Sequence, residues 1–180
     1  MFTKLSTLTA LFAAAPAALA QTYTVTNNCP GPIELMLRNN SEGILQHGDS
    51  VVKDGLGTSA GFFYTSTNGA YNDQGHLVAS RAGFYFEPNY WYYYLVRSEG
   101  HLNTGISITP DQPEHDGFCA VARCDDIDCP TAFPTPPTFG SPVPPPATNP
   151  APKPPLYQCK VPGANFLITF CPSGEWPASS

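Results

Sequence analysis

Charged side chains are scarce in this chain of 180 residues. Asp, Glu, Lys and Arg make up 12% of it, as 8 basic and 14 acidic residues with a formal net charge of −6. About 25% is usual for a globular domain. Proteins that bind nucleic acid need clustered Lys and Arg side chains to displace counterions from phosphates. The low and slightly acidic charge therefore argues against a nucleic-acid partner.

Long helix-forming stretches are also missing. The 21 Pro and 15 Gly residues interrupt almost every segment that is rich in Ala, Leu, Glu or Lys, and both residues are unfavourable in helix interiors. Aromatic residues are plentiful, with 11 Phe, 9 Tyr and 2 Trp. The composition therefore predicts a β-rich domain.

An apolar run occurs at the start of the chain. Residues 1–20 have one positive charge at Lys4, an apolar run from Leu8, and end in Ala18-Leu19-Ala20. A basic start, a short apolar run and a small-x-small ending are typical of a secretory signal peptide. We expect cleavage before Gln21 and a secreted protein without a membrane anchor, located in the extracellular space or the cell wall.

Six cysteines follow the predicted signal peptide. An even number of cysteines in a secreted chain predicts three disulfides, but six cysteines allow 15 pairings and their spacing selects none of them. The alternative is zinc. The C-x4-C-x4-C run from Cys119 to Cys129 lacks the closer Cys pairs of structural zinc sites, so we expect neither a metal site nor a cofactor. The cysteines are Cys29, Cys119, Cys124, Cys129, Cys159 and Cys171.

Apolar and polar residues alternate along several short segments separated by turn-forming residues, which is the pattern of half-buried strands. Their regular spacing predicts an all-β sandwich or barrel. The polar stretch around Asn39-Asn40-Ser41 reads as a hairpin loop, and this sequon makes Asn39 a predicted glycosylation site. Strands are predicted at residues 22–26, 33–38, 61–64, 76–79, 83–86, 91–97, 105–108, 118–122 and 165–170.

A proline-rich stretch interrupts this pattern. Residues 130–155 contain 12 prolines in 26 residues. Proline donates no ladder hydrogen bond, so the stretch is excluded from sheet interiors and is predicted to be extended polyproline or disordered. Strand character and two cysteines return after it. Residues 130–156 are therefore interpreted as an excursion from one domain and not as a linker between two.

Three motifs in this order resemble those of thaumatin-like proteins. TYTVTNNC at residues 22–29 resembles the opening strand of that family, and DGFCAVARC at residues 116–124 resembles its central segment. CKVPGANFLITFCP at residues 159–172 resembles its closing strand. The resemblance implies a single antiparallel, disulfide-linked β-sandwich of the thaumatin-like kind over residues 21–129 and 157–180. It also implies that the Cys-rich second domain of the family is missing.

The resemblance implies a disulfide pairing as well. Carried over residue by residue, it pairs Cys29 with Cys171 and Cys119 with Cys159. In the family, the positions of Cys124 and Cys129 pair with cysteines of the second domain. Because that domain is missing here, these two cysteines are left to bond each other.

The resemblance further implies an acidic cleft that binds β-1,3-glucan. Arg81 and Glu87 stand roughly where the family has an Arg and a Glu, and they are candidates for a catalytic role. The strand that should supply two Asp residues reads Trp91-Tyr92-Tyr93-Tyr94 instead. Glycoside hydrolysis needs a pair of carboxyl groups at a defined separation, so we expect binding without catalysis.

Aromatic residues dominate residues 84–94, where 8 of 11 are Phe, Tyr or Trp. Alternate side chains of a strand face opposite ways, so Tyr90, Tyr92 and Tyr94 are predicted to be exposed. Together with Trp91, they form a predicted platform for stacking against sugar rings. The alternative interpretation is packing inside the sandwich, with rings edge to face.

These expectations combine into a functional prediction. The chain is predicted to be a secreted, monomeric thaumatin-like protein that binds β-glucan or a related cell-wall polysaccharide without catalysis, in an antifungal or defence role. One alternative is a weak endo-β-1,3-glucanase. The other is a secreted effector that binds a host protein through the aromatic face.

Overall fold

The computed structural model describes residues 21–54, 60–85, 92–98, 101–138, 150–161 and 163–178. These ranges contain strands and turns and no helix, and so no helix that could cross a membrane. The predicted signal peptide lies outside them. The strands described are β1 (Tyr23–Asn27), β2 (Ile33–Leu37), β3 (Asn40–Leu45), β4 (Ser50–Lys53), β5 (Ala60–Thr65), β6 (Arg81–Tyr85), β7 (Tyr92–Val96), β8 (Ile106–Pro110), β9 (Ala122–Cys124), β10 (Ala132–Phe133), β11 (Leu156–Gln158) and β12 (Phe166–Phe170).

The strands form two sheets that pack face to face. The first sheet has the order β4-β1-β12-β8-β9, and the second has the order β10-β7-β6-β5-β2-β3, with β11 also paired to β7. The predicted fold class, an all-β sandwich cross-linked by disulfides, is confirmed. The sheets are mixed and not purely antiparallel, because β1 pairs with β12, and β10 with β7, in parallel. Parallel partners cannot be joined by a hairpin, and both pairs unite distant parts of the chain.

The core lies between the two sheets, because buried and more exposed side chains alternate along the strands. Along β1 the side chains of Tyr23, Val25 and Asn27 are buried while the two threonines between them are half-buried. Strand β12 repeats this pattern, with Leu167 pointing outwards. At the centre, the Tyr23 ring lies edge-on to Phe84 at 4.6 Å and stacks on Phe166 at 5.7 Å. Such ring pairs stabilise a core beyond their area burial.

Three disulfides cross-link the sandwich. They join Cys29 to Cys171, Cys119 to Cys159 and Cys124 to Cys129, which are the pairs that the resemblance implies. The first bond connects the segments that follow β1 and β12, so it fixes the two central strands of the first sheet. The sequence separations are 142, 40 and 5 residues.

Several segments differ from the strands predicted from alternation, and β4, β10 and β11 form where no strand was predicted. Strand β3 forms where a hairpin loop was predicted, because an edge strand needs backbone pairing and not an apolar face. Residues 76–79 form no strand beyond a bridge at Leu77. The strand predicted at residues 118–122 begins only at Ala122, since Cys119 has a left-handed backbone with φ of 58°, which interrupts extended pairing.

The disulfides are expected to differ in their contribution to stability. In the chain-entropy model, closing the long loop of Cys29–Cys171 contributes about 5 kcal/mol and closing the short loop of Cys124–Cys129 about 2 kcal/mol. Replacing both cysteines of the first pair by Ala should therefore lower the free energy of unfolding by about 3 kcal/mol more than the same change at the second pair. Urea unfolding of both double variants under non-reducing conditions measures this difference. Equal losses would contradict the expectation.

Candidate functional site

The aromatic strand β7 is buried on both of its faces. Tyr93 packs in the core against Tyr157 and Phe166, with ring centroids 5.4 and 5.3 Å away. On the opposite face Tyr92 is 5% exposed and Tyr94 is 8% exposed. The prediction that Tyr92 and Tyr94 face solvent is therefore wrong, and these two rings cannot form an open platform. Tyr90 and Trp91 lie outside the described residues.

The start of the proline-rich segment covers this outer face. Strand β10 pairs with the end of β7, and the backbone N–H of Arg97 donates to the carbonyl of Phe133 at 2.8 Å. The Phe133 ring lies edge-on to Tyr94 at 6.0 Å. The described start of residues 130–156 thus packs against the sheet at its edge and does not project as a free spacer. Its prolines avoid the sheet interior, as proline chemistry requires.

A glycine makes room for Tyr94 on that face. Gly83 lies opposite Tyr94 in the pairing of β6 with β7, and a Cβ at Gly83 would fall 2.3 Å from the tyrosine ring. The ring therefore lies directly on the backbone of β6. Burial raises the pKa of the Tyr94 hydroxyl, against the opposing effect of Arg81, so this side chain stays neutral.

Arg81 lies on the same outer face, at the start of β6. It is 9% exposed. Its Nη2 donates to the Leu77 carbonyl at 2.6 Å and to the Ser98 Oγ at 3.1 Å, and its Cζ lies 5.4 Å from the centre of the Phe62 ring. Glu87 lies outside the described residues, so a catalytic role for Arg81 and Glu87 stays a prediction.

A polar groove of about 550 Å³ lies at one end of the sandwich. It forms where the segment before β8, the loop after β9 and the tail after β12 converge with the turn at Asn68. We call it the polar groove. Its lining consists of Asn68, His101, Leu102, Asn103, Asp125, Asp126, Ile127, Trp176, Pro177 and Ala178.

Covalent and hydrogen bonds fix the walls of the polar groove. The Cys124–Cys129 bond closes the loop that contains Asp125 and Asp126, and the Cys29–Cys171 bond fixes the start of the tail that contains Trp176. Asn103 is 2% exposed. Its amide accepts from the backbone of Ser80 at 2.8 Å and donates to the carbonyl of Thr67 at 2.8 Å. The groove is therefore largely preformed.

The side chains of the polar groove offer an aromatic surface beside hydrogen-bonding groups. Trp176 is half-buried against the core. One oxygen of Asp125 accepts from Arg123, while Oδ1 is buried and has no partner in the part of the chain that the structure describes. The His101 ring contacts the carbonyl of Gly69 at 2.6 Å. Pockets that combine apolar surface with a few placed polar groups are the usual form of a ligand site.

Sequence reasoning did not find the polar groove. Neither the acidic run at residues 125–128 nor Trp176 was predicted to be part of a site. One signal was available, because Trp176 follows Cys171 closely and a disulfide there returns the tail to the domain. The meeting of four distant segments has no local signature.

Other acidic residues of the chain have different surroundings. Asp111 bridges strands, since its carboxylate accepts from the backbone N–H of Asn165 at 3.0 Å and from its amide at 2.8 Å. Glu114 and Asp116 are exposed, and Glu99 lies outside the described residues. Asp111 is therefore occupied by a structural role.

Asn39 lies at the exposed tip of the β2–β3 hairpin. The pairing of Leu37 with Asn40 leaves Arg38 and Asn39 as a two-residue turn, and Arg38 takes the positive φ of 56° that such a turn uses. The position is accessible to modification, and glycosylation there stays a prediction.

Comparison with known proteins gives the fold. No protein-family model and no curated protein sequence matches the chain. Among solved structures, the thaumatin-like xylanase inhibitor TLXI matches with a TM-score of 0.54 and 13% identity, over 83% of this chain and 99% of that chain. The protein elicitor MoHrip2 from Magnaporthe oryzae matches with a TM-score of 0.48 and 17% identity, over 84% and 99%. The likeness to TLXI shows that this chain has the thaumatin-like fold.

The bonds of Asp111 predict a specific acid sensitivity. Although desolvation opposes it, hydrogen bonding from Asn165 lowers the pKa of Asp111 below its ordinary value. A carboxyl whose pKa is lowered by folding stabilises the protein above its unfolded pKa of about 3.9, and this contribution is lost as the pH falls through the folded pKa.

The variant Asp111→Asn should therefore be less stable than the wild type at pH 7, and the difference should shrink towards pH 2.5. Thermal unfolding at both pH values measures it. The matched control is Asp73→Asn, at an exposed loop carboxyl, for which we expect little change. A difference between Asp111→Asn and the wild type that is the same at both pH values would contradict the assignment.

Proposed function

We propose that this protein is secreted and binds a cell-wall polysaccharide of the β-glucan type in the polar groove, without hydrolysing it. The observation that carries the proposal is the groove itself. It places the half-buried ring of Trp176 beside the carboxylates of Asp125 and Asp126.

This combination suits a sugar chain for a physical reason. A pyranose ring has an apolar C–H surface and a rim of hydroxyl groups. The Trp176 ring offers the C–H surface a stacking partner, and the carboxylates of Asp125 and Asp126 offer acceptors to the hydroxyl groups. The volume of about 550 Å³ falls within the range of about 300 to 1,000 Å³ that is usual for ligand pockets.

Secretion is supported by chemistry and by fold. Disulfides persist in oxidising compartments, and all six cysteines of this chain are bonded. The thaumatin-like fold, together with the predicted signal peptide, is consistent with a defence-related role outside the cell.

Binding without hydrolysis fits the carboxyl groups of the groove. Hydrolysis uses two carboxyl groups on either side of the scissile bond, one as an acid and the other as a nucleophile or base. Asp125 and Asp126 are neighbours in one short loop, and Asp125 is paired with Arg123. This arrangement favours accepting hydrogen bonds from hydroxyl groups over flanking a glycosidic bond.

The test is a pull-down on insoluble β-1,3-glucan, with soluble laminarin as the competitor. Wild-type protein should bind and be released by laminarin, and Trp176→Ala should lower the affinity at least about tenfold, as loss of an aromatic anchor does. Asp125→Asn keeps the shape of the side chain and should also weaken binding. The matched control is Ile44→Ala, since Ile44 is an apolar residue 66% exposed on β3 that does not line the groove.

Three results would count against the proposal. They are no retention of the wild-type protein, unchanged retention of Trp176→Ala and Asp125→Asn, or release of reducing sugar from laminarin. The last would move the assignment to an endo-β-1,3-glucanase.

A second candidate function is binding to a carbohydrate-active protein. The observation that favours it is the likeness in fold to TLXI, which is described as a xylanase inhibitor. Under this function the protein should inhibit a fungal or plant glycoside hydrolase in a dose-dependent way, and Trp176→Ala should inhibit equally well. Initial rates of a panel of xylanases and β-glucanases, with and without the protein, measure this. Unchanged rates across the panel would remove this candidate.

A further inference from the structure

On the outer face of the second sheet, the buried side chain of Arg81 has no acidic partner among the residues that the structure describes. Arg81 is 9% exposed, and none of the ion pairs among the described residues includes it. Its Nε is buried and lacks a hydrogen-bond partner in the same ranges. A buried charge that is left unpaired is costly. The cost points to an anion that completes the site.

The described groups that accept hydrogen bonds from Arg81 carry no negative charge. Its hydrogen bonds go to a carbonyl and a hydroxyl, which carry no charge. Glu34 lies on the same face of the sheet, but its two oxygens accept from Ser41 and Ser66. Desolvation lowers the pKa of the Arg81 guanidinium, with Tyr94 and Tyr64 opposing. Arginine nevertheless stays protonated at neutral pH.

A cavity of about 200 Å³ lies next to this charge. We call it the Arg81 cavity. Its walls are mainly apolar, and one of them is Pro136 from the proline-rich segment. The lining that the argument uses is Arg38, Phe62, Arg81, Tyr94, Val96 and Pro136. The Arg81 cavity is separate from the polar groove, since the two share no lining residue.

We propose that the Arg81 cavity binds a small monocarboxylate with an apolar or aromatic body, of about the size of benzoate. The guanidinium of Arg81 pairs with the carboxylate, because its planar fork matches that group. The rings of Phe62 and Tyr94 contact the body of the ligand. The apolar walls disfavour sugar acids, since the hydroxyl groups of these would be buried without partners. The volume has room for one ring.

The probe is benzoate, titrated into the purified wild-type protein and followed by the backbone amide signals in NMR. Binding should be saturable, and the shifted amides should include Gly61 and Val96, which line the cavity. Benzyl alcohol tests the need for the charge, and glucuronate tests the need for an apolar body. Both should bind at least about tenfold more weakly than benzoate.

Two variants and a matched control locate the site. Arg81→Gln removes the charge and should weaken benzoate binding at least about tenfold. Ala60→Trp fills the cavity from an exposed position while keeping Arg81, and it should abolish binding. Lys160→Gln is the control, because Lys160 is a cation over an aromatic ring, at 4.0 Å from the centre of Phe118, away from the cavity. It should bind benzoate like the wild type.

The proposal is overturned if the wild type shows no saturable binding of benzoate, or if Arg81→Gln and Lys160→Gln weaken binding equally. It is also overturned if Ala60→Trp binds as the wild type does, or if glucuronate binds as tightly as benzoate. The glucan pull-down does not bear on this outcome, because it reports on the polar groove.

Discussion

The pairing of β1 with β12 is the constraint on which the rest of the molecule depends. The two strands lie side by side in the middle of the first sheet, with Tyr23 to Asn27 opposite Phe166 to Phe170. The Cys29–Cys171 bond secures their ends, and the amide of Asn28 donates to the carbonyl of Cys171 at 2.9 Å. Buried Asn27 binds the backbone of Gly31, Leu45 and Cys29. These bonds also decide where the tail with Trp176 emerges, and so where the polar groove lies.

Sequence predicted the fold correctly where the residues of a single strand show the alternation of apolar and polar side chains. Strands β1, β2 and β12 show an alternation that one buried face produces, and the motifs at the two ends of the chain indicated that β1 and β12 belong together. Strand β7 was predicted as a strand, but the exposure of its tyrosines was predicted wrongly, because both of its faces are buried. A strand of this kind reads as a continuous apolar run, and the sequence YYYLV does so. The prediction that Tyr92 and Tyr94 are exposed assumed that no other segment covers this face of the sheet.

That cover comes from a segment about 40 residues away in the chain, and no local pattern reveals it. The prolines of residues 130–138 exclude them from the sheet interior, but proline does not prevent packing on a sheet edge. Once Phe133 and Pro136 lie over Tyr94, the aromatic face becomes an interior layer and Arg81 is enclosed. The polar groove was missed for the same reason, since its walls come from segments that only the disulfides and long-range pairings unite.

The scarcity of charge gives the two cavities their different chemistry. In a chain with 12% charged residues, a charged atom kept from both water and a partner is an exception that needs a reason. Among the described residues, two side chains with such an atom line the sites proposed here. Asp125 lines the polar groove, and Arg81 lines the Arg81 cavity. The first is an acceptor, which suits the hydroxyl groups of a neutral sugar, and the second is a donor with positive charge, which suits a carboxylate. The two proposed sites therefore differ in the charge of the group that each offers to a ligand.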